Sequence, residues 1–246
     1  MIDDLVLRYP DSNMFHLPPN VIPICMGKNQ VDEIQWAEEQ YCRPVRCWED
    51  QIIDKVNANE EGLFDFSKNI LDIGAGIGEY CWDTHFNHAW AFEPNRKDAA
   101  LIYMNAYLRD RVYDIDIIVK GCSDHAFEVD YNGWTLTEGC GRADAKVTPT
   151  EFIRIDDMNL QNIGFIKIDI EGYELEALQG AINTIYRNNY PPILIEIWTE
   201  GCPYWDNIEP DGSAKRDRLI EFLEQNLGYQ IIWNWGDWET HLCVHE

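Results

Sequence analysis

A short apolar segment that ends in three closely spaced glycines places the strongest constraint on this fold. Residues 69–79 read Asn-Ile-Leu-Asp-Ile-Gly-Ala-Gly-Ile-Gly-Glu, with Gly74, Gly76 and Gly78 at every second position. An apolar run that stops at Asp72 and then meets glycines predicts a buried strand, a tight turn and a helix. Since glycine lacks a Cβ, this turn can adopt positive φ and approach a ligand closely. The segment therefore predicts a site for a nucleotide-like cofactor.

Length and composition favour one large globular domain with an N-terminal extension. The chain has 246 residues, of which 46% are apolar, and it contains 10 Trp. Proline-rich residues 1–28 predict an extended arm, and apolar spacing predicts helices at 30–42 and 47–59. We therefore expect an arm and helical extension at residues 1–60, packed on a main domain at 61–246.

The charge of the chain disfavours a nucleic-acid partner. There are 44 acidic and 19 basic residues, which give a formal net charge of -25. Proteins bind nucleic acids largely by neutralising phosphates with basic side chains, so an acidic surface works against RNA or DNA. The same charge also serves solubility alone, which is the plainer interpretation.

The cysteines and the termini favour a soluble cytoplasmic protein. The eight cysteines are scattered without a Cys-x-x-Cys pair, so they predict free thiols in a reducing compartment and no zinc site. The acidic N-terminus and the absence of a run of about 18 apolar residues predict neither a signal peptide nor a membrane span.

After the glycine turn, predicted strands alternate with predicted helices. The strands are expected at 90–93, 115–120, 164–170 and 193–198, and the helices at 98–108, 171–187 and 216–226. Alternation of this kind predicts a doubly wound α/β fold, with a mostly parallel sheet of seven strands and helices on both faces. Strands at 229–235 and 240–245 are too close for a crossover, so they predict a C-terminal antiparallel hairpin. Residues 126–157 predict a hairpin and a loop near the mouth of the active site.

The acidic residue Glu93 ends the second predicted strand, nineteen residues after Gly74. In doubly wound folds a carboxylate at this point accepts hydrogen bonds from the ribose hydroxyls of a bound nucleoside. Pro94 follows it and turns the chain. The alternative is a solvated carboxylate at a strand end.

The residue at position 79, Glu79, helps to decide between two classes of cofactor. Nicotinamide dinucleotides usually need a Gly-x-Gly-x-x-Gly motif, whose third glycine lies near the pyrophosphate at the start of the helix. Glu79 occupies that third position, and a carboxylate there would repel a pyrophosphate. S-adenosylmethionine carries an ammonium, a sulfonium and no phosphate, so the segment favours the methyl donor.

Beyond these local patterns, the chain resembles the FkbM-type class I methyltransferases over about residues 48–198. The glycine turn is generic to class I, whereas Lys-Ile-Asp-Ile-Glu-Gly-Tyr-Glu at 167–174, followed by Leu-Gln-Gly-Ala at 178–181, is specific to the family. One departure is Gly76, where the family usually has Asn. The other matching blocks lie at 71–80, 91–94, 121–124 and 193–198. The resemblance implies a Rossmann-like class I fold and methyl transfer from S-adenosylmethionine to a hydroxyl, commonly on a sugar or a polyketide-like acceptor.

By analogy with class I sites, the resemblance also implies a set of cofactor-binding residues. Asp72 is expected near the methionine part of the cofactor, and Ser123 and Asp124 beside the adenine. Asp72 could instead brace the turn, and Ser123 could cap a loop. The full expected set is Asp72, Gly74, Ala75, Gly76, Gly78, Glu93, Pro94, Ser123, Asp124 and Asp169.

Candidate bases follow from the need to remove the proton of an acceptor hydroxyl during methyl transfer. Asp169 and Glu171 are predicted at the carboxyl end of the fourth strand, the edge where open α/β sheets bind ligands. Asp169 is the leading candidate, whereas Glu171 could serve only to open the following helix. His125 is the histidine most worth testing.

Asp169 and Glu196 on neighbouring predicted strands could bind Mg²⁺ through carboxylate oxygens and orient a vicinal diol. The plainer alternative is a buried Glu196 bonded to loop amides. Aromatic residues near the expected mouth, Tyr131, Trp134, Tyr204 and Trp205, could stack on sugar rings, while Trp198 is expected in the core.

Together these features predict an S-adenosylmethionine-dependent O-methyltransferase that acts on a glycan, a sugar nucleotide or a related small molecule. We expect no nucleic-acid partner and no membrane partner, and the sequence indicates no particular oligomeric state. The alternatives are an RNA methyltransferase and a cofactor-binding module without catalysis.

Overall fold

A seven-stranded sheet organises the computed structural model, which describes residues 12–13, 26–27, 48–131, 148–198, 212–237 and 239–245. The predicted helix at 30–42 and the aromatic residues Trp134, Tyr204 and Trp205 lie outside the described residues. Ser12–Asn13 and Met26–Gly27 form a short antiparallel pair. The remaining described strands are β1 Asn69–Ile73, β2 His88–Phe92, β3 Ile115–Ile118, β4 Gly121–Cys122, β5 Phe127–Tyr131, β6 Thr148–Ile153, β7 Ile163–Ile168, β8 Ile193–Glu196, β9 Gln230–Ile232 and β10 Thr240–Val244.

The strand order of the large sheet is β9-β10-β8-β7-β1-β2-β3. The five strands from β8 to β3 are parallel to one another. β10 pairs antiparallel with both β8 and β9. The prediction of a mostly parallel sheet with a C-terminal antiparallel hairpin is therefore confirmed.

Helices cover both faces of this sheet, as the alternation of strands and helices predicted. The described helices are α1 Trp48–Ala58, α2 Glu79–Asp83, α3 Arg96–Leu108, α4 Glu174–Gln179, α5 Ile182–Arg187 and α6 Gly212–Glu221, with a 3-10 turn at Ile155–Met158 and a π-helical turn at Phe222–Asn226. Side chains alternate along each strand, so Ile70 packs with α1, α2 and α3, whereas Leu71 packs with α4, α5 and α6. Each face of the sheet thus has its own apolar core.

The segment predicted as a hairpin and a loop forms part of a second, smaller sheet. β5 and β6 pair antiparallel and β4 pairs parallel with β6. Residues 132–147, which connect β5 and β6, lie outside the described residues. The predicted hairpin is confirmed.

The single helix predicted at 171–187 is wrong, because the structure has two short helices there. Glu171 has φ 58° and Gly172 has φ 92°, which a right-handed helix does not allow, so α4 begins only at Glu174. α5 begins after a break at Gly180, where Asp156 accepts hydrogen bonds from the backbone N–H groups of Asn183 and Thr184. Glu171 is thus a loop residue and does not open the helix.

The break between α4 and α5 is tightly packed against the start of the small sheet. A Cβ built on Gly180 would lie 1.9 Å from the backbone oxygen of Ser123. Gly180 has φ -77°, so alanine would meet a steric conflict there and no backbone strain.

We expect Gly180→Ala to lower the free energy of unfolding by about 2 kcal/mol, since overpacking of a tight contact costs roughly 1–3 kcal/mol. Urea denaturation measures the change. Gly62→Ala is the matched control, because Gly62 has φ 67° and, among the residues that the structure describes, no atom lies within 4 Å of the new methyl group. Its expected cost is about 1 kcal/mol, from the backbone alone. Equal losses in the two variants would contradict the steric explanation.

Candidate active site

A cavity of about 230 Å³ opens at the carboxyl edge of the parallel strands. This is the edge at which open α/β sheets bind ligands, since the loops there leave a crevice. Its lining comes from the glycine turn (73–77, 79 and 80), the end of β2 (92–94) with Asp98, residues 120–122, the end of β7 (167 and 169–171), and Tyr131, Phe152 and Tyr173. The structure thus brings the predicted cofactor turn and the predicted catalytic carboxylates to one cavity.

The glycine turn has the left-handed backbone that its sequence predicted. Gly74, Gly76 and Gly78 have φ of 78°, 54° and 87°. The N–H groups of Gly74 and Ala75 both donate to the carbonyl oxygen of Phe92, each at 3.0 Å. The turn is therefore anchored to the end of β2, and Gly78 caps α2.

Glu93 lies beside this turn and lines the cavity, although only 7% of the residue is exposed. Its Oε2 accepts from the N–H of Gly76 at 2.9 Å, and its Oε1 accepts from the N–H of Asn95 at 2.7 Å. Burial raises the pKa of Glu93 to about 7, against the effect of these hydrogen bonds. A carboxylate has about four lone pairs, so both oxygens keep capacity for further donors.

Asp72 lies behind the turn, not in the cavity. Its side chain is fully buried, and its Oδ2 accepts from the thiol of Cys81 at 3.2 Å. Its Oδ1 lies 3.7 Å from the Nζ of Lys167. This position matches the alternative in which Asp72 braces the turn.

Lys167 is a site residue that the sequence analysis did not single out. It lies on β7, all six residues of which are buried, and its Nζ donates to the carbonyl oxygen of Gly74 at 2.8 Å. The same Nζ lies 3.7 Å from Oδ2 of Asp169. The available signal was a lysine inside an otherwise apolar strand, because a buried ammonium needs partners.

Asp169 and Glu171 both line the cavity, immediately after β7. The side chain of Asp169 is 32% exposed. Glu171 is held at φ 58°, an uncommon conformation for a residue with a side chain. Burial, followed by the negative charge of Asp169, raises the pKa of Glu171 to about 7. A carboxyl group with this pKa can both take up and release a proton near neutral pH.

Two further carboxyl groups, those of Glu174 and Glu196, lie close to Asp169 or to the loop that follows it. Glu174 is buried and accepts from the backbone N–H groups of Ile170 and Gly172 at 3.1 and 3.0 Å, which shapes the loop that carries Glu171. Glu196, at the end of β8, lines a small cavity with Asp169 and Thr240. Burial and the neighbouring Asp169 hold the pKa of Glu196 well above its ordinary value.

The suggested magnesium site at Asp169 and Glu196 gains no support from the structure. Within the described ranges, no group of three or more His, Cys, Asp or Glu side chains could hold a metal ion.

Ser123, Asp124 and His125 lie just outside the cavity, which reaches Gly121 and Cys122 before them. The hydroxyl of Ser123 donates to Oδ1 of Asp124 at 3.1 Å, and the Nδ1 of His125 lies 2.6 Å from the same oxygen. This hydrogen bond with His125 lowers the pKa of Asp124. The His125 side chain is 66% exposed and does not line the cavity that Asp169 and Glu171 line.

An aromatic wall, made of Tyr131, Phe152 and Tyr173, closes the side of the cavity formed by the small sheet. The ring of Phe152 makes edge contacts with Tyr131 and Tyr173, at centroid distances of 5.9 and 6.4 Å. Only Tyr131 was singled out from the sequence. The pairing of β5 with β6 brings Phe152 to the site, and Tyr173 comes from the segment between β7 and α4.

The raised pKa values make the stability of the fold depend on pH. The pKa is about 7 for each of Glu93, Glu171 and Glu174, against an ordinary value of 4.5. Between these values the folded state binds more protons than the unfolded chain, so stability falls as pH rises. We expect the free energy of unfolding to be larger at pH 5 than at pH 8, by on the order of 2 kcal/mol for each of the three groups.

Urea denaturation at the two pH values measures this difference. In Glu174→Gln the difference should shrink, because one of the titrating groups is gone. A wild-type protein that is more stable at pH 8 than at pH 5 would contradict the prediction.

A doubly wound sheet with a terminal antiparallel hairpin, and a glycine turn at its carboxyl edge, defines the class I methyltransferase fold. Within this class, the chain belongs to the FkbM methyltransferase family, because the family model described as the methyltransferase FkbM domain matches residues 72–231. The resemblance seen in the sequence is therefore confirmed, and the chain is assigned to the S-adenosylmethionine-dependent methyltransferases.

Solved structures share this fold. A methyltransferase FkbM from Methylobacillus flagellatus KT aligns with a TM-score of 0.52 and 23% identity, over 74% of this chain. The aligned region spans only 45% of that longer protein. A putative caffeoyl-CoA O-methyltransferase from Staphylococcus aureus aligns with a TM-score of 0.51 and 15% identity, over 89% of this chain and 93% of that one. Identities this low show similarity of fold alone.

No curated protein sequence matches the chain. Among the residues that the structure describes, no helix has the length and apolar character needed to cross a bilayer.

Proposed function

We propose that this protein transfers a methyl group from S-adenosylmethionine to a hydroxyl group of a sugar, a glycan or a related small molecule. The observation that carries the proposal is Glu171, a carboxyl group on the cavity wall with a pKa of about 7. A group of this kind is suited to take the proton of an acceptor hydroxyl at neutral pH.

The residues around the cavity suit the cofactor. Two features leave room for the cofactor beside the turn. Glu93 has remaining acceptor capacity for ribose hydroxyls, and a Cβ built on Gly76 would meet none of the described residues within 4 Å. We assign the adenine to the side of Pro94 and the aromatic wall. In this arrangement Ser123 and Asp124, which follow Cys122, support the adenine side of the site without lining the cavity. Asp72 supports the glycine turn and does not contact the cofactor directly.

The charge of the cavity favours a cation over a pyrophosphate. Five acidic side chains line it, against the two lysines Lys120 and Lys167; the acids are Glu79, Glu93, Asp98, Asp169 and Glu171. Glu79 starts α2 and lines the cavity, so it opposes a phosphate at the helix N-terminus. This arrangement supports S-adenosylmethionine over a nicotinamide dinucleotide.

When bound, S-adenosylmethionine supplies an electrophilic methyl group on a sulfonium. In the proposed reaction, an O–C bond forms at the acceptor hydroxyl while the C–S bond breaks, and its electron pair stays on sulfur. Glu171 takes the hydroxyl proton. Asp169, beside the ammonium of Lys167, orients the acceptor and remains a second candidate base. His125 lies outside the cavity, so we assign it no part in proton transfer.

The acceptor is proposed to be small or a glycan, because the net charge of -25 opposes nucleic acids and the aromatic wall offers flat faces for a sugar ring. The described cysteines Cys81, Cys122 and Cys243 are free thiols, which suits the cytoplasm as the site of action.

Incubation with labelled methyl donor and extracts of glycans, small molecules or RNA tests the proposal. We expect label in the glycan or small-molecule fraction with wild-type protein, and none with a heat-inactivated sample. Label in RNA alone would contradict the acceptor class. Thermal stabilisation by NAD and not by S-adenosylhomocysteine would contradict the cofactor.

A further inference from the structure

Lys167 occupies an unusual position, because its ammonium group is buried between the cofactor turn and the acceptor-side loop. Only 7% of the residue is exposed. The Nζ donates to the Gly74 carbonyl at 2.8 Å and lies 3.7 Å from both Asp72 and Asp169. It also lies 5.6 Å from the centre of the Tyr80 ring. Taking an ammonium out of water is costly unless such partners compensate.

The two loops that Lys167 joins are in direct contact. The backbone N–H of Asp169 donates to the carbonyl oxygen of Ile73 at 3.1 Å. A Cβ built on Gly74 would lie 1.9 Å from the backbone oxygen of Asp169. A displacement of the glycine turn therefore moves the segment that carries Asp169 and Glu171.

We propose that Lys167 is a positioning residue that sets the glycine turn and the Asp169 carboxylate relative to each other. An ammonium has three donors and no acceptor, so it can hold the Gly74 carbonyl and face two carboxylates at once. Without it, Asp72 and Asp169 would each lose an ammonium group at 3.7 Å. The turn would then lose the bond that fixes its first carbonyl.

This inference rests on the proposed function, since it assumes that the turn binds the adenosyl cofactor. Its test uses S-adenosylhomocysteine as the probe, with binding measured by calorimetry and folding checked by thermal denaturation. The binding measurement needs no acceptor, so it is independent of the identity of the substrate.

We expect Lys167→Met to weaken binding of S-adenosylhomocysteine by about tenfold or more, because the turn that holds the cofactor loses its hydrogen bond to a charged donor. Lys167→Arg keeps the cation and should recover most of the affinity. Lys167→Gln keeps a donor without the charge, so it should fall between the two. It also serves as the second uncharged variant if Lys167→Met does not fold.

Lys120→Met is the matched charge control. Lys120 also lines the cavity, but its Nζ pairs with Glu151 on β6, whereas the Nζ of Lys167 donates to the glycine turn. The same loss of positive charge should therefore change binding by a smaller factor than Lys167→Met. An equal loss of affinity would mean that binding depends on the total charge of the cavity and not on the position of Lys167, which would overturn the positioning role.

A double variant tests whether Lys167 acts through Asp169. In an Asp169→Asn background, Lys167→Met should weaken binding by a smaller factor than in the wild-type background, because one of the partners of the lysine has lost its charge. Equal factors in the two backgrounds would exclude action through Asp169.

The proposed function and the positioning role of Lys167 would be overturned by different results. Wild-type protein that does not bind S-adenosylhomocysteine would overturn the proposed function. Wild-type binding together with undiminished binding by folded Lys167→Met would overturn the positioning role alone. Folded Lys167→Arg that binds as poorly as Lys167→Met would have the same consequence.

Discussion

Replacement of Glu171 by glutamine is expected to lower the rate of methyl transfer by about 100- to 10,000-fold, the usual contribution of a positioned base. Glutamine has nearly the same shape as glutamate but cannot accept the hydroxyl proton. The wild-type rate should fall as pH drops through about 7, because Glu171 must be ionised to act as the base and burial raises its pKa to that value. Initial rates against pH, with the acceptor found by labelling, measure both effects.

Binding of S-adenosylhomocysteine should change by less than about threefold in Glu171→Gln, because the proposed role of Glu171 is to take the acceptor proton and not to bind the cofactor. His125→Ala is the matched control for the competing base. The exposed His125 lies outside the cavity, so its loss should leave the rate near the wild-type value. A normal rate of methyl transfer in Glu171→Gln, or a large loss of rate in His125→Ala, would mean that Glu171 is not the base.

Features determined by neighbouring residues were predictable from the sequence. The apolar run before Gly74 forms β1, and the three glycines have the positive φ that their spacing predicted. Glu93 follows β2 and lines the cavity, since a residue at a strand end on this edge faces the crevice. Short separation along the chain made the C-terminal hairpin predictable as well.

Features that depend on residues far apart in the chain were not predictable. Lys167 contacts Gly74 across 93 positions, and its importance follows only from the order of β7 beside β1. The break at Gly180 depends on the closeness of Ser123, which no helical periodicity reveals. Asp72 could be predicted as a residue near the cofactor turn, but which side of the turn it occupies depends on Cys81 and Lys167.

Among changes to the cofactor turn, Gly74→Ala is expected to have the largest effect, weakening S-adenosylhomocysteine binding by at least about 100-fold. Gly74 has φ 78°, a conformation that costs a residue with a Cβ about 1–2 kcal/mol. The new methyl group would also lie 1.9 Å from the backbone oxygen of Asp169 and 2.6 Å from the Ile170 side chain. Since backbone cannot rotate away as a side chain can, β1 and the loop after β7 must separate.

That separation would displace both the turn proposed to bind the cofactor and the residues proposed to face the acceptor, because Lys167 donates a hydrogen bond to the carbonyl oxygen of Gly74. Calorimetry with S-adenosylhomocysteine and a thermal melt of the same sample measure binding and folding side by side. Gly76→Asn is the matched control, since a Cβ at Gly76 meets no atom of the described part of the chain within 4 Å and asparagine tolerates its φ of 54°. The control should bind within about threefold of wild type, because asparagine adopts this conformation at little cost and is the residue that the family usually has at this position of the cofactor turn. Equal losses of affinity in the two variants would mean that the turn requires glycine for its backbone conformation alone. The contact between Gly74 and Asp169 would then not link the glycine turn to the loop that carries Asp169 and Glu171.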